Sequence, residues 1–222
     1  MPPLPLDNSP APDQRDRLPL EAVLLGQEFG EQEGQVVDFA ALFGNPRPVE
    51  IEIGSGKGTF LVHRAKARPD INFIGIEWAR EYCTHAADRM ARWNLANVRI
   101  LRTDAEVFFR NQVPDGSLLR VHIYFPDPWP KLRHHKRRLI QPRFVGILHR
   151  ALRIGGEVAI VTDHRDYARQ IEWVVLNQRG FATVPFPRTY GAEENERVGT
   201  NFERKYIAQG RRFYDLAVMK WR

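Results

Sequence analysis

From residue 49 onward, short apolar runs alternate with helical stretches, and this alternation limits the fold more than any other feature of the chain. VEIEI (49–53), INFIGI (71–76), VRIL (98–101), LLRVHIYF (118–125) and EVAIVT (157–162) read as strands. Between them lie predicted helices over 59–68, stopped by Pro69, and over 79–93, with Tyr82, Ala86, Met90 and Trp93 on one face. Further helices are predicted over 105–110 and 140–152, the latter closed by Gly155-Gly156. Tyr167, Ile171, Val174 and Val175 mark another helical face. FATVPF (181–186) and FYDLAVM (213–219) read as closing strands. Strands alternating with helices of this length predict an α/β fold, a doubly wound and mostly parallel sheet with helices on both faces. Ligands of such sheets sit at the carboxyl ends of the strands, so the residues that follow each strand should carry the function.

What precedes this pattern differs in kind. Residues 1–20 hold six of the 16 prolines, which strip out backbone donors, and are expected to be a disordered tail. VVDFAALF (36–43) reads as a short helix stopped by Gly44-Asn45-Pro46. Residues 21–222 are then expected to form a single domain. One cysteine, Cys83, excludes a disulfide framework and a Cys-rich zinc site. No metal site is expected among the seven histidines. No apolar run approaches the ~20 residues that span a bilayer, and the start lacks the pattern of a secretory signal. A cytoplasmic location and no membrane partner are the expectation; monomer and homodimer both stay open.

The strand ends are unusually rich in carboxylates and glycines. After the first strand comes Glu52-Ile53-Gly54-Ser55-Gly56-Lys57-Gly58. Gly54 and Gly56 let backbone approach a nucleotide-like group without a Cβ in the way. The third glycine arrives one residue too early for the dinucleotide fingerprint G-x-G-x-x-G. With an acidic residue inside the strand, the spacing is similar to the S-adenosylmethionine site of class I methyltransferases. The second strand ends in Glu77, where a carboxylate can accept from both ribose hydroxyls. Asp104 follows the third strand; it suits the adenine amine, and it equally suits a plain helix N-cap.

The fourth strand runs into Phe125-Pro126-Asp127-Pro128-Trp129-Pro130-Lys131. Three prolines hold Asp127 rigidly between two aromatic side chains, a device similar to the D/N-P-P-Y/F loop of base N-methyltransferases. A basic run follows at once: Arg133, His134, His135, Lys136, Arg137 and Arg138. The chain carries +6 overall, and residues 128–156 alone carry +8 with no acid, so this one segment holds the whole basic excess. Such a distribution suits a phosphate-rich partner. A solvated helix face is the alternative reading of the charge run taken alone.

Several motifs agree in order with one family. F-P-D-P-W-x-K-x-R-H-x-K-R-R, then T-D-x-x-x-Y at Thr162, Asp163 and Tyr167, then T-x-F-E-x-K at Thr200, Phe202, Glu203 and Lys205, resemble the bacterial tRNA (guanine-N7-)-methyltransferases. The resemblance covers residues from about 48 to the end. It implies a Rossmann-like methyltransferase domain, S-adenosylmethionine as methyl donor and a variable-loop guanosine of tRNA as target. Carried over by matched motif, Glu52, Glu77, Asp104 and Asp127 would contact cofactor or line the active site. Lys131, Asp163, Thr200, Asn201, Phe202 and Glu203 would contact substrate, and residues 133–138 RNA. Hydrogen-bond complementarity further suggests Glu203 as the acceptor for the guanine N1–H and N2–H edge. Pro130 departs from the histidine of many relatives. Other classes remain as rivals: a methyltransferase of another RNA or DNA base, an NAD-dependent oxidoreductase, disfavoured by the glycine spacing, and a non-catalytic RNA-binding module.

Overall fold

The computed structural model describes residues 17–26, 35–187 and 196–222. Its centre is one eight-stranded sheet in the order β1-β4-β3-β2-β5-β6-β8-β7. The strands are β1 (Leu24–Leu25), β2 (Val49–Ile53), β3 (Asn72–Ile76), β4 (Val98–Leu101), β5 (Leu118–Tyr124), β6 (Leu152–Thr162), β7 (Phe181–Thr183) and β8 (Tyr214–Lys220). β1 to β6 pair in parallel; β8 runs antiparallel to both β6 and β7. Helices are α1 (Phe39–Phe43), α2 (Thr59–Ala67), α3 (Arg80–Arg92), α4 (Ala105–Asn111), α5 (Pro142–Ala151), α6 (Arg165–Leu176) and α7 (Asn201–Ala208). The mostly parallel, doubly wound sheet predicted from the alternation is borne out.

Each face of the sheet has its own core. Val49, Ile51 and Ile53 of β2 pack with Phe108 of α4, Phe144 of α5 and Tyr167 of α6. Phe73 and Val161 of the opposite face pack with Phe60 of α2 and Ala86 and Met90 of α3. β2 is buried on both faces, its isoleucines on one and Glu50 and Glu52 on the other. Gly58 shows how tightly α2 meets α3. It lies in the left-handed region at φ +72°, and a Cβ there would come within 2.6 Å of the Met90 methyl.

Four sequence expectations change. Gly155 and Gly156 do not close a helix; α5 ends at Ala151 and the glycines lie inside β6, where a register irregularity occurs against β5. A Cβ at Gly156 would sit 2.8 Å from the Leu118 carbonyl oxygen, so the bulged pairing needs glycine. Tyr82 is not on the buried face of α3, which is made by Cys83, Ala86, Ala87, Met90 and Ala91. The tail expected to reach residue 20 is already packed at residue 17: Arg17 pairs with Asp88, Leu18 N–H donates to Ala91 O at 3.2 Å, and β1 joins the sheet beside β4. The rest of that expected tail lies outside the described residues. Finally, α7 forms where no helix was expected. Among the described residues, no helix is long and apolar enough to cross a membrane.

Candidate active site

The strand order reverses direction at β2, which pairs with β3 on one side and β5 on the other. A crevice outside the carboxyl ends of two such strands is where doubly wound sheets bind ligands. A cavity of about 200 Å³ opens there. Glu52, Gly54, Ser55, Gly56 and Lys57 form one wall, and Phe60 and Tyr124 contribute aromatic surface. Thr200, Asn201, Phe202 and Lys205 face them from α7, with Tyr82 and Phe125 completing the lining. The first strand-end motif and the last motif of the chain, far apart in sequence, therefore meet in one site.

The glycine loop is shaped by backbone and one carboxylate. Gly54 N–H and Ser55 N–H both donate to Ile76 O, at 2.8 and 3.0 Å. Gly56 N–H donates to Glu77 Oε2 at 2.8 Å, and Ala79 N–H to its Oε1 at 2.9 Å. Glu77 thus ties the end of β3 to the loop and keeps lone pairs for a hydroxyl donor. Gly54 and Gly56 have positive φ, and a Cβ at either would meet nothing within 4 Å, so both border open space.

Glu52 is the most informative group. It is buried near the carboxyl end of the central strand β2, and its Oε2 has no hydrogen-bond partner. Burial, and then the negative charge of Glu77, push its pKa well above the usual carboxylate range. Ser55 Oγ, also in the cavity wall, is buried without a partner too. Buried polar atoms are normally satisfied. Two orphans on one cavity wall fit a ligand carrying hydrogen-bond donors, and an ammonium would suit Glu52 best.

Behind the cavity runs a buried polar chain that sequence reading missed. Arg64 donates twice to Glu50, at 2.9 and 3.0 Å. His122 Nε2 lies 2.9 Å from Glu50 Oε2, and its Nδ1 2.7 Å from the Tyr124 hydroxyl. Burial raises the Glu50 carboxyl, but the hydrogen bonds and charges of His122 and Arg64 outweigh it and hold Glu50 below the usual range. Burial lowers His122, so the imidazole is neutral. Glu50 must then accept from Nε2–H, and the Tyr124 hydroxyl must donate to Nδ1. The Tyr124 ring is fixed as a wall of the cavity by this chain. Its signal was present in the alternation of Glu50 and Glu52 with Ile51 and Ile53, which puts both acids on one face of β2.

The rigid loop takes the predicted place beside the cavity. Phe125 and Trp129 both adopt positive φ, at 53° and 40°. Phe125 lines the cavity; Asp127 stands exposed, with no hydrogen bond or ion pair to the described residues. Residues Leu132–Arg137 form a 3₁₀ turn, in which Arg133, Lys136 and Arg137 are exposed and His134 and His135 half-buried. Lys131 is exposed at its start. Asp104 caps α4 by accepting from Val107 N–H at 3.0 Å and does not line the cavity. Asp163 pairs with Arg211 and lies outside the cavity.

Two assigned roles are corrected. Glu203 cannot read a guanine edge, because it is fully buried and its two oxygens accept from backbone. Arg197 N–H donates to Oε1 at 2.6 Å, and Val198 and Gly199 N–H donate to Oε2 at 2.9 and 2.8 Å. With Thr200 Oγ1 accepting from Glu203 N–H at 3.1 Å, the arrangement is a helix N-terminal capping device that seats Thr200–Phe202 in the cavity wall. Arg138 is likewise buried: it donates to Pro128 O, Gln170 and Asp166 at 2.7–2.9 Å. It clamps the proline loop to α6 rather than offering a charge to RNA. Cys83 is buried, and desolvation pushes its thiol up to about 11, which leaves it inert at neutral pH.

The family described as "putative methyltransferase" matches residues 46–216. A tRNA (guanine-N(7)-)-methyltransferase of Geobacter metallireducens is 36% identical over 80% of this chain and 84% of its own. One from Nitrosococcus oceani is 39% identical over 81% of this chain and 75% of its own. This chain belongs to the tRNA (guanine-N7-)-methyltransferase family. The motif resemblance read from residues 125–138, 162–167 and 200–205 is borne out. Solved structures agree in fold: an antibiotic-related methyltransferase superposes with a TM-score of 0.58 at 18% identity, covering 84% of this chain and 98% of its own. An aminoglycoside resistance methyltransferase does so at 0.55 and 16%, covering 85% and 97%.

Proposed function

We propose that this chain transfers a methyl group from S-adenosylmethionine to N7 of a guanosine in the variable loop of tRNA. The observation that carries the reading is the cavity at the β2/β5 crevice, with an unpartnered buried carboxylate on one wall and the Thr200–Phe202 segment on the other. Family membership supports the reaction. The exposed basic turn that follows the proline loop supports a nucleic-acid substrate.

When bound, S-adenosylmethionine supplies an electrophilic methyl group on a sulfonium. Glu52 would accept from the methionyl ammonium, which ends the isolation of its buried Oε2. Glu77 would accept from the ribose hydroxyls while still holding the glycine loop. Asp104 caps α4 through Oδ1 and would offer its other oxygen to the adenine amine. The apolar wall of Phe60, Tyr124 and Phe125 excludes water from the reacting centre. Guanine N7 carries an in-plane lone pair and no proton, so no residue has to create the nucleophile. Catalysis is then mainly placement of the two reactants. Asp127, two residues beyond the cavity-lining Phe125, and Asn201 on the wall would orient the base, and Phe125 or Phe202 would stack it. The nearer aromatic neighbours support that arrangement: Phe125 meets Tyr206 edge-on at 5.7 Å, and Tyr206 in turn meets Phe202 at 6.1 Å.

The test is incubation with labelled S-adenosylmethionine and unmodified tRNA, followed by nucleoside analysis. 7-Methylguanosine at one variable-loop position is the expected product. Substituting 7-deazaguanosine there should abolish transfer while tRNA still binds. Continued transfer would mean that another atom is the nucleophile.

A further inference from the structure

Two faces of α6 do different work. Asp166 and Gln170, one turn apart, hold Arg138 and with it the proline loop. Arg165 and Arg169, also one turn apart, point into a separate cleft of about 350 Å³ that Phe213 and Tyr214 close. Beyond the same two aromatic residues lies a second cleft, of about 550 Å³, lined by Arg197, Arg211 and Arg212. Phe213 meets Phe125 edge-on at 5.5 Å, and Phe125 lines the active-site cavity. The two basic clefts are therefore one aromatic layer away from the reacting centre.

Their charges are only partly spent. Arg197 pairs with Asp215, and Arg211 with Asp163. Arg165, Arg169 and Arg212 are exposed and make no hydrogen bond or ion pair with the described residues. Like charges four residues apart on a helix repel. Arg165 and Arg169 stand in that relation, and of the two acids in the same cleft Asp215 is taken by Arg197, which leaves Glu172 to offset them. Packing uses none of the three guanidinium groups. Planar, always-charged forks that the protein itself does not use suit bidentate phosphate oxygens.

We propose that Arg165 and Arg169 in one cleft and Arg212 in the adjoining one, with Phe213 and Tyr214 between them, hold phosphates of the RNA backbone beside the target nucleotide. The inference rests on tRNA being the substrate. The turn that carries the exposed Arg133, Lys136 and Arg137 meets the first turn of α6 through His135 and Arg138 at Asp166, so the basic turn and Arg165 both flank the start of this helix. The clamp by Arg138 fixes the two basic surfaces relative to one another.

The experiment compares wild type with two triple variants, Arg165→Gln/Arg169→Gln/Arg212→Gln and the corresponding Arg→Lys set. Binding of an unmodified tRNA transcript is measured across a salt series, with S-adenosylmethionine binding and initial rates alongside. The Gln set should flatten the salt slope by about 2 to 3, from roughly 0.7–0.9 for each phosphate that the protein no longer neutralises. KM for tRNA should rise, while kcat at saturating tRNA and the cofactor Kd stay within about twofold. The Lys set should keep most of the slope, since it keeps the charge. Wild type that forms 7-methylguanosine alongside a Gln set with an unchanged slope would overturn this inference alone. Wild type that neither binds tRNA in a salt-dependent way nor methylates it would overturn the proposed function as well.

Discussion

Replacing Glu203 by Gln separates a structural carboxylate from a substrate-reading one. In the structure, Oε2 accepts two buried backbone N–H groups and Oε1 one half-buried one, all within 2.6–2.9 Å. The amide keeps one acceptor, which can serve Val198 and Gly199. Its NH₂ then faces the Arg197 N–H, donor against donor. The variant loses one hydrogen bond to a charged group, about 1.5–3 kcal/mol, and strands a donor at about 1–3 kcal/mol. The loss is thus about 2.5–6 kcal/mol. For a chain of this size each kcal/mol moves the melting temperature by about 2–4 °C, which gives a fall of roughly 5–24 °C. Because Glu203 seats Thr200–Phe202, affinity for S-adenosylmethionine should fall too. Thermal melts, cofactor titration and hydrogen exchange over residues 196–208 read these effects. A variant with wild-type melting and wild-type cofactor affinity, impaired only on tRNA, would refute the capping argument and return Glu203 to substrate recognition.

Two other perturbations test the site's electrostatics and its loop. His122 is held below its ordinary value of 6.5 by burial, and Glu50 below 4.5 by its partners. The unfolded chain binds protons that these groups refuse, so stability is full above about pH 6.5, falls below it as the unfolded imidazole charges, and falls further below about 4.5. His122→Gln, which keeps a donor for Glu50, should flatten the upper part of a melting-temperature profile between about pH 7 and 5; an unchanged slope there would place the proton uptake elsewhere. Asp127→Ala removes an exposed side chain with no hydrogen-bond or ion-pair partner among the described residues, so stability should change by less than about 0.5 kcal/mol. Methyl transfer should drop by about 10²-fold if the carboxylate orients a reactant; single-turnover rates within about threefold of wild type would remove Asp127 from the reaction.

What the sequence by itself determined is local or periodic. The strands β2 to β6 follow from short runs rich in β-branched and apolar residues, because a central parallel strand is buried on both faces, and the signal survives the polar residues inside β2 and β5. Gly54 and Gly56 follow from the backbone freedom that only glycine supplies, and the rigidity of 125–130 from its prolines. Glycine was also the source of error: at Gly155-Gly156 the same freedom serves a strand irregularity, and the two uses look alike without the partner strand. Tertiary structure alone decided which charges are available. Arg138 and Arg137 are adjacent in the basic run, yet one is buried against Asp166 and Gln170 and the other exposed, because only one points toward α6. Glu203 stands in a family motif, but its burial beneath Arg197–Gly199 turns it from a reader of bases into a cap. Glu50 and Glu52 alternate identically with isoleucines, and only their neighbours across the sheet distinguish them. Arg64 and His122 satisfy Glu50, while Glu52 is left at the cavity with an oxygen that accepts from no donor. Charge on a side chain is written in the sequence; whether that charge is spent inside the protein depends on distances between residues that the sequence does not bring together.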